Sequence, residues 1–220
     1  MARTEVPQFV LQLIKIMNEN TKSLTIGLEI EKTLQDEINE FLKNGDFQQL
    51  LKLDYFKSTD GRASIAMGEL LKELRHIEGI QIICFDIESG SGTEINRDSL
   101  MAVNLANSFT DGQMVILTGN LHANLKEGYW RSNFKSAIYH FNKMKDLGDK
   151  LISLNTYFGG GTIWNCMQDG CKERAADSNS RIRERFELDN FIGIFNDVHP
   201  SGYSGFIYFD KVTASKPLGN

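Results

Sequence analysis

The sequence predicts an α/β fold in three layers, a mainly parallel sheet with helices on both faces. Three observations carry this. Strand-like apolar runs alternate with helix-like stretches from residue 1 to residue 158, and that alternation produces parallel strands linked by right-handed crossovers. The runs are near-continuously apolar, as strands covered on both sides must be. A chain of 220 residues with 41% hydrophobic and 10% aromatic content can also enclose a sizeable core. No repeat and no Pro/Gly/Ser-rich linker divides it, so residues 1–220 read as a single domain.

The elements follow in order. Val6, Phe9, Val10, Leu13, Ile14 and Met17 recur at spacings of three and four, predicting an amphipathic helix over 6–19. SLTIGLEI (23–30) reads as a buried strand. Helical spacing returns at Leu34, Ile38, Phe41 and Leu42, with Gly45 placed to stop that helix. Further helices are expected over 47–53 and 64–79, the second ending at a glycine. IQIICFDI (80–87) is a strand, 97–109 a helix and 113–119 the third strand. A helix over 134–147 leads to a fourth strand in 150–157, which leaves into the glycines of YFGGG. Residues 191–197 and 205–212 are two late strands joined by VHPSGYS, with an antiparallel arrangement left open.

Composition narrows the function classes. A net charge of −5 and a pI near 5.4 give no global attraction to nucleic acid or to an anionic membrane. The apolar runs, at most seven or eight residues, are far shorter than a membrane span. The start, MARTEVPQFVLQLIKIMNEN, has no cleavage site or uninterrupted apolar core, so the chain as written is expected in the cytoplasm. A missing N-terminal segment would change that expectation to a secreted or periplasmic one. Cys84, inside an apolar run, is expected to be a buried thiol. Cys166 and Cys171 are close enough to bridge and read as a loop disulfide or two free thiols, ahead of a zinc site.

Parallel sheets bind ligands outside the carboxyl ends of their strands, and three strands end there in polar chemistry. The first ends at Gly27-Leu28-Glu29, the second at Asp86 with Glu88 following, and the third at Gly119-Asn120-Leu121-His122. Two carboxylates and an imidazole on one rim can poise a water or hold a divalent metal, with Glu29 and His122 as the metal-ligating pair. The plainer alternative is that each acidic residue caps a helix or sits in a solvated turn, and that His122 is a solvated loop histidine. Arg97, with Asp98, opens the helix after the second strand, where Asp98 or Asn96 can serve as its cap. Arg62 holds a similar place before another helix, so two guanidiniums can orient the carboxylates or clamp a substrate. Asn120 and, from the loop NDVHPSGYSG, His199 join the substrate-binding candidates, while His76 and His140 read as surface or interface residues. No nucleophile elbow, P-loop, dinucleotide fingerprint or H-E-x-x-H motif occurs.

Taken in order, GLEI, DGRAS-AM, FD, NRD--MA, GNLHA and GGG-IW-C make the sequence resemble a known superfamily, from about residue 5 to residue 170. It joins the erythromycin esterases, the ChaN haem-binding lipoproteins and the TIKI metalloproteases. The resemblance implies that Glu29 and His122 are active-site members and that Asp86 and Arg97 line the same pocket. In such proteins a carboxylate or imidazole activates water, or ligates the metal that does so, for attack on an ester or amide carbonyl. The superfamily's earlier strand, ending in a G-E-x-H-G-like loop, has no counterpart here, and MARTEVPQF looks like the segment just after it.

The leading expectation is therefore a hydrolase acting on a small-molecule or peptide substrate. The alternative is a non-catalytic protein that binds haem or another small ligand, with His122 or Tyr157 as axial ligand. A third reading makes YFGGGTIWNC an exposed aromatic patch for protein contacts, and an exposed sheet edge would allow a homo-oligomer.

Overall fold

Alternate residues of the central strand, Leu24, Ile26, Leu28 and Ile30, are all essentially inaccessible to water, which explains why this segment is the centre of the fold. The computed structural model describes residues 2–21, 23–88, 97–110, 112–176 and 189–219. Helix α1 (Glu5–Glu19) leads into β1 (Leu24–Glu31), which is followed by α2 (Gln35–Asn44), α3 (Phe47–Leu50), α4 (Asp54–Lys57) and α5 (Ile65–Leu74). Then come β2 (Ile80–Asp86), α6 (Arg97–Ser108), β3 (Gln113–Leu117), α7 (Asn120–Ala123) and α8 (Ala137–Lys145). Strands β4 (Leu154–Phe158), β5 (Thr162–Met167), β6 (Gly170–Ala175), β7 (Asn190–Ile194) and β8 (Gly205–Phe209) complete the chain.

The fold is α/β, as the alternation predicts. The first sheet has the order β2-β1-β3 and is wholly parallel, with Ile26 opposite both Ile82 and Val115. Helices cover both faces. On one, Ile26, Leu28, Ile82, Cys84 and Val115 pack with Ile14 of α1, Phe41 of α2 and Leu71 of α5. On the other, Ile83 and Phe85 pack with Met101 and Leu105 of α6 and Phe141 of α8. Each fully buried Ile, Leu or Phe contributes about 1.5–3 kcal/mol, so this double burial dominates stability. Gly27 faces α6, where an added Cβ would lie 3.3 Å from Leu105. Its small size lets α6 approach closely, which brings Arg97 to the rim.

Local chemistry sets the helix ends. The Ser64 and Ser136 side chains accept from Met67 and Tyr139 N–H and cap α5 and α8. Gly45, at φ 76°, closes α2 as the sequence predicts.

Three expectations are corrected. The fourth strand is not in the first sheet: β4 pairs in parallel with β8, and β8 pairs antiparallel with β7, giving a second sheet of order β4-β8-β7. No ladder joins β3 to β4 among the described residues. Instead α1 bridges the sheets, with Val10 and Ile14 in the first core and Val6 and Phe9 against the second. Periodicity reports which face of a strand is buried but not which neighbour it pairs with, so this division was hidden. The cysteines do not sit in a loop. They face each other across the β5–β6 hairpin as a disulfide, Cys166 to Cys171, while Cys84 is free and buried. Residues 47–53 hold the short α3 with a turn after it rather than one helix.

Trp164 is half-buried, and its indole N–H donates to the Thr59 carbonyl at 2.9 Å, so YFGGGTIWNC is docked rather than an open patch. Ala2 and Trp164 exchange backbone hydrogen bonds, at 2.9 and 3.0 Å. No helix among the described residues is long and apolar enough to cross a membrane.

Candidate functional site

At the carboxyl ends of β1, β2 and β3 the predicted residues do converge, and Arg97 is their hub. As the first residue of α6, it projects its guanidinium across the strand ends. Nε and Nη2 donate to Asp86 Oδ1 and Oδ2 at 2.9 and 2.7 Å, a two-pronged pair. Nη2 also lies 3.2 Å from Glu29 Oε1, and Nη1 lies 3.0 Å from His122 Nε2. Asp86 is 0% exposed. A charge so placed needs a partner, because leaving it unpaired in a dry interior costs several kcal/mol. Arg62 adds a second cation, with Nη1 3.5 Å from Asp86 Oδ2 and Nε 2.8 Å from Asp60 Oδ2. Charged partners hold both guanidiniums above the ordinary arginine pKa although burial acts to lower it, with Asp86 foremost for Arg97 and Asp60 for Arg62.

Glu29 sits where the β1–β2 register shifts, between Leu28 and Glu31. Its Oε2 accepts from the Thr118 hydroxyl and the Gly119 N–H, both at 2.7 Å. Strand β3 thus ends one residue before Thr118 and presents two donors to Glu29. Gly119 has φ −63°, a value open to any residue, so it is not there to permit a left-handed turn. Its contribution is the N–H. Tyr55 fixes the same segment by donating its hydroxyl to the Glu29 carbonyl at 2.9 Å, and burial pushes the Tyr55 pKa up.

His122, on the single-turn α7, is gripped from both sides. Nδ1 lies 2.8 Å from Asp98 Oδ1, and the Ala137 N–H at the start of α8 donates to that oxygen at 2.6 Å. Arg97 can only donate, so Nε2 is an acceptor and Nδ1 carries the hydrogen shared with Asp98. Burial acts to lower the His122 pKa. The Asp98 hydrogen bond and the Glu29 and Asp98 charges outweigh both burial and Arg97, and hold it above the ordinary 6.5. A proton on Nε2 would face an N–H of Arg97. Glu29 Oε1, 3.9 Å away, is the carboxylate oxygen on that side of the ring.

Four sequence candidates meet in one hydrogen-bonded cluster: Glu29, Asp86, Arg97 and His122. Arg62 borders it through Asp86. Asn120 begins α7, and its contact lies outside the cluster: its backbone carbonyl accepts the Tyr203 hydroxyl at 2.7 Å. His199 does not join. Its Nδ1 is held by Ser201, its ring stacks on Phe195, and it is exposed. The sequence offers Asp98 as a helix cap, and the structure shows it orienting His122. Its place beside Arg97, at the start of a helix pointed at the rim, was the available signal. Asn96 lies outside the described residues.

The donor set does not fit a divalent metal. Glu29 Oε1 and His122 Nε2, the atoms such an ion would share, both face Arg97, and the guanidinium supplies the positive charge there. Among the described residues no group of three or more His, Cys, Asp or Glu is arranged to hold an ion. Haem is no better served. Both His122 nitrogens are engaged, and Tyr157, in the second sheet, packs its ring against Phe206 at 5.7 Å. Asp98, His122, Arg97 and Glu29 together can orient a neutral imidazole and stabilise a developing negative charge. No protein-family model, curated protein or solved structure matches the chain.

Proposed function

We propose that the chain is a hydrolase of ester or amide bonds, with His122 activating water and Arg97 stabilising the charge that develops on the carbonyl oxygen. The observation that carries this is His122 held between Asp98 at 2.8 Å and Arg97 at 3.0 Å. Asp98 fixes the tautomer that leaves Nε2 able to accept a proton. A substrate carbonyl oxygen that takes over the Arg97 Nη1 hydrogen bond frees that lone pair for water. His122 then removes a proton as water attacks the carbonyl carbon, and returns it to the leaving group. Glu29 and Asp86 hold the guanidinium in place. The resemblance to the erythromycin esterase, ChaN and TIKI superfamily supports the same reading, although the residues present favour an arginine-based site over a metal-based one.

Nitrophenyl esters and amides of varied size test this. Replacing His122 by alanine should lower kcat by about 10²–10⁴, the usual worth of a general base, with the circular dichroism spectrum unchanged. Full activity in that variant would remove the assignment. A second reading, a non-catalytic small-ligand-binding protein, is favoured by the fact that these site groups already satisfy one another. It requires a rise in melting temperature with an added small carboxylate or ester, and no turnover. The Cys166–Cys171 disulfide supports placing the protein in an oxidising compartment, periplasmic or extracellular.

A further inference from the structure

The charge of this chain is unevenly distributed. Residues 126–145 contain Lys126, Arg131, Lys135, Lys143 and Lys145 against Glu127 alone, a net +4, which leaves −9 on the other residues to give the total of −5. Of the large apolar side chains left exposed among the described residues, this segment holds the aromatic ones: Trp130 is 55% exposed and Tyr129 46%, with Met144 at 47%.

The two properties form one surface, made by the α7–α8 loop and the outer side of α8. The loop is preformed: Gly128 N–H donates to the Phe134 carbonyl at 2.8 Å, and Phe134 N–H to the Arg131 carbonyl at 2.9 Å. Trp130 stands edge-to-face with Phe134 at 5.6 Å. Lys135 ties loop to helix, with Nζ 3.4 Å from Glu127 and 6.0 Å from the Tyr139 ring centre. Glu127 is thereby neutralised by a neighbour. Arg131 and Lys143 have no carboxylate partner among the described residues. Arg131 lies 4.0 Å over the Trp130 ring, and Lys143 lies 6.0 Å from the Tyr139 ring.

We propose that this surface docks on an anionic lipid bilayer. Exposed Trp and Tyr beside Lys and Arg match the headgroup region, where aromatic rings sit at the boundary and cations meet phosphate. Stacking on single-stranded nucleic acid needs open ring faces, whereas cations lie over the Trp130 and Tyr139 rings. Those cations can reach lipid phosphates while the ring edges enter the interface. The −9 on the remaining residues turns this face toward a negative surface and the rest away.

Co-sedimentation with vesicles tests the proposal. The protein should bind mixed phosphatidylglycerol–phosphatidylcholine vesicles at low salt, lose binding as salt rises, and ignore phosphatidylcholine alone. Arg131→Ala and Lys143→Ala should each lower the partition coefficient about fivefold, with unchanged circular dichroism. Tryptophan emission should shift to the blue on binding, and Trp130→Ala should remove that shift while Trp164 remains. The proposal is overturned if phosphatidylglycerol vesicles do not bind, or if these substitutions leave binding unchanged. It is equally overturned if a single-stranded oligodeoxynucleotide binds through the same residues more tightly than the vesicles do.

Discussion

Replacing Arg97 by methionine should destabilise the protein by about 3 kcal/mol, because it strands a carboxylate that water cannot reach. Breaking a buried ion pair by deleting one partner costs about 3–5 kcal/mol. The lower end applies here, since Arg62 stays 3.5 Å from Asp86 and Arg97 is itself partly exposed. For a chain of 220 residues, 3 kcal/mol corresponds to a fall in Tm of about 6–12 °C. Urea unfolding at neutral pH, followed by circular dichroism, gives the free energy directly. Asp86→Asn completes a double-mutant cycle. It removes the charge that Arg97 neutralises, so the double variant should be more stable than the sum of the single losses implies, by about 1 kcal/mol or more. An Arg97→Met cost below about 1 kcal/mol, or a coupling near zero, would refute the view that this pair organises the rim.

His122 links stability to pH. Its folded pKa is raised above 6.5, so the folded protein binds the proton more tightly than the unfolded chain. The resulting stabilisation is fully present below pH about 6.5 and is lost as pH rises through the folded value; Asp98→Asn should shrink this dependence, and NMR titration of the imidazole should show its pKa falling. Burial pushes the Cys84 thiol up to about 12, so it should resist thiol reagents at pH 8 until the protein unfolds; rapid labelling of the native state contradicts its burial. Reducing Cys166–Cys171 opens only a short loop, with a sequence separation of 5, and should cost about 2 kcal/mol in urea unfolding with and without dithiothreitol; no change would mean that the hairpin is held by other contacts.

Much of the first sheet was legible because both its faces are covered. SLTIGLEI and IQIICFDI carry apolar residues on either side, and the helices against them show clear three-and-four spacing. The rim residues were legible for a related reason: a polar residue directly after such a run has few places to go except the strand end. What stayed hidden depends on contacts between distant residues. Nothing near Leu154 indicates that β4 pairs with β8, about fifty residues on, rather than with β3. Asp98 looked like a cap because its nearest neighbours in sequence suggest one, whereas its partners, His122 and Ala137, lie on other elements. The hairpin at 162–175 was hidden by its composition, since exposed β6 has no apolar alternation to read. Net charge carries no information about where charges lie. A total of −5 conceals a basic face, because summing discards position.

The split between the two sheets bears on how the molecule breathes. Strand β1 has ladder partners on both edges, as does β8, but no backbone ladder connects those two centres among the described residues. Slow amide exchange should therefore arise from two protected nuclei, each opening with its own free energy, coupled through α1 and through α7, whose Ala123 carbonyl accepts the Ser153 hydroxyl. Glu29, Asp86, Arg97 and His122 all belong to the nucleus around β1, through β1, β2, α6 and α7. A transient loosening of the β4-β8-β7 sheet releases the Tyr203 brace on Asn120 and the Ser153 hold on Ala123, but leaves Arg97 paired with Asp86 and Glu29. The Asp86–Arg97–Glu29 part of the rim therefore stands apart from fluctuations of the second sheet, whereas His122, on α7 beside Ala123, is exposed to them.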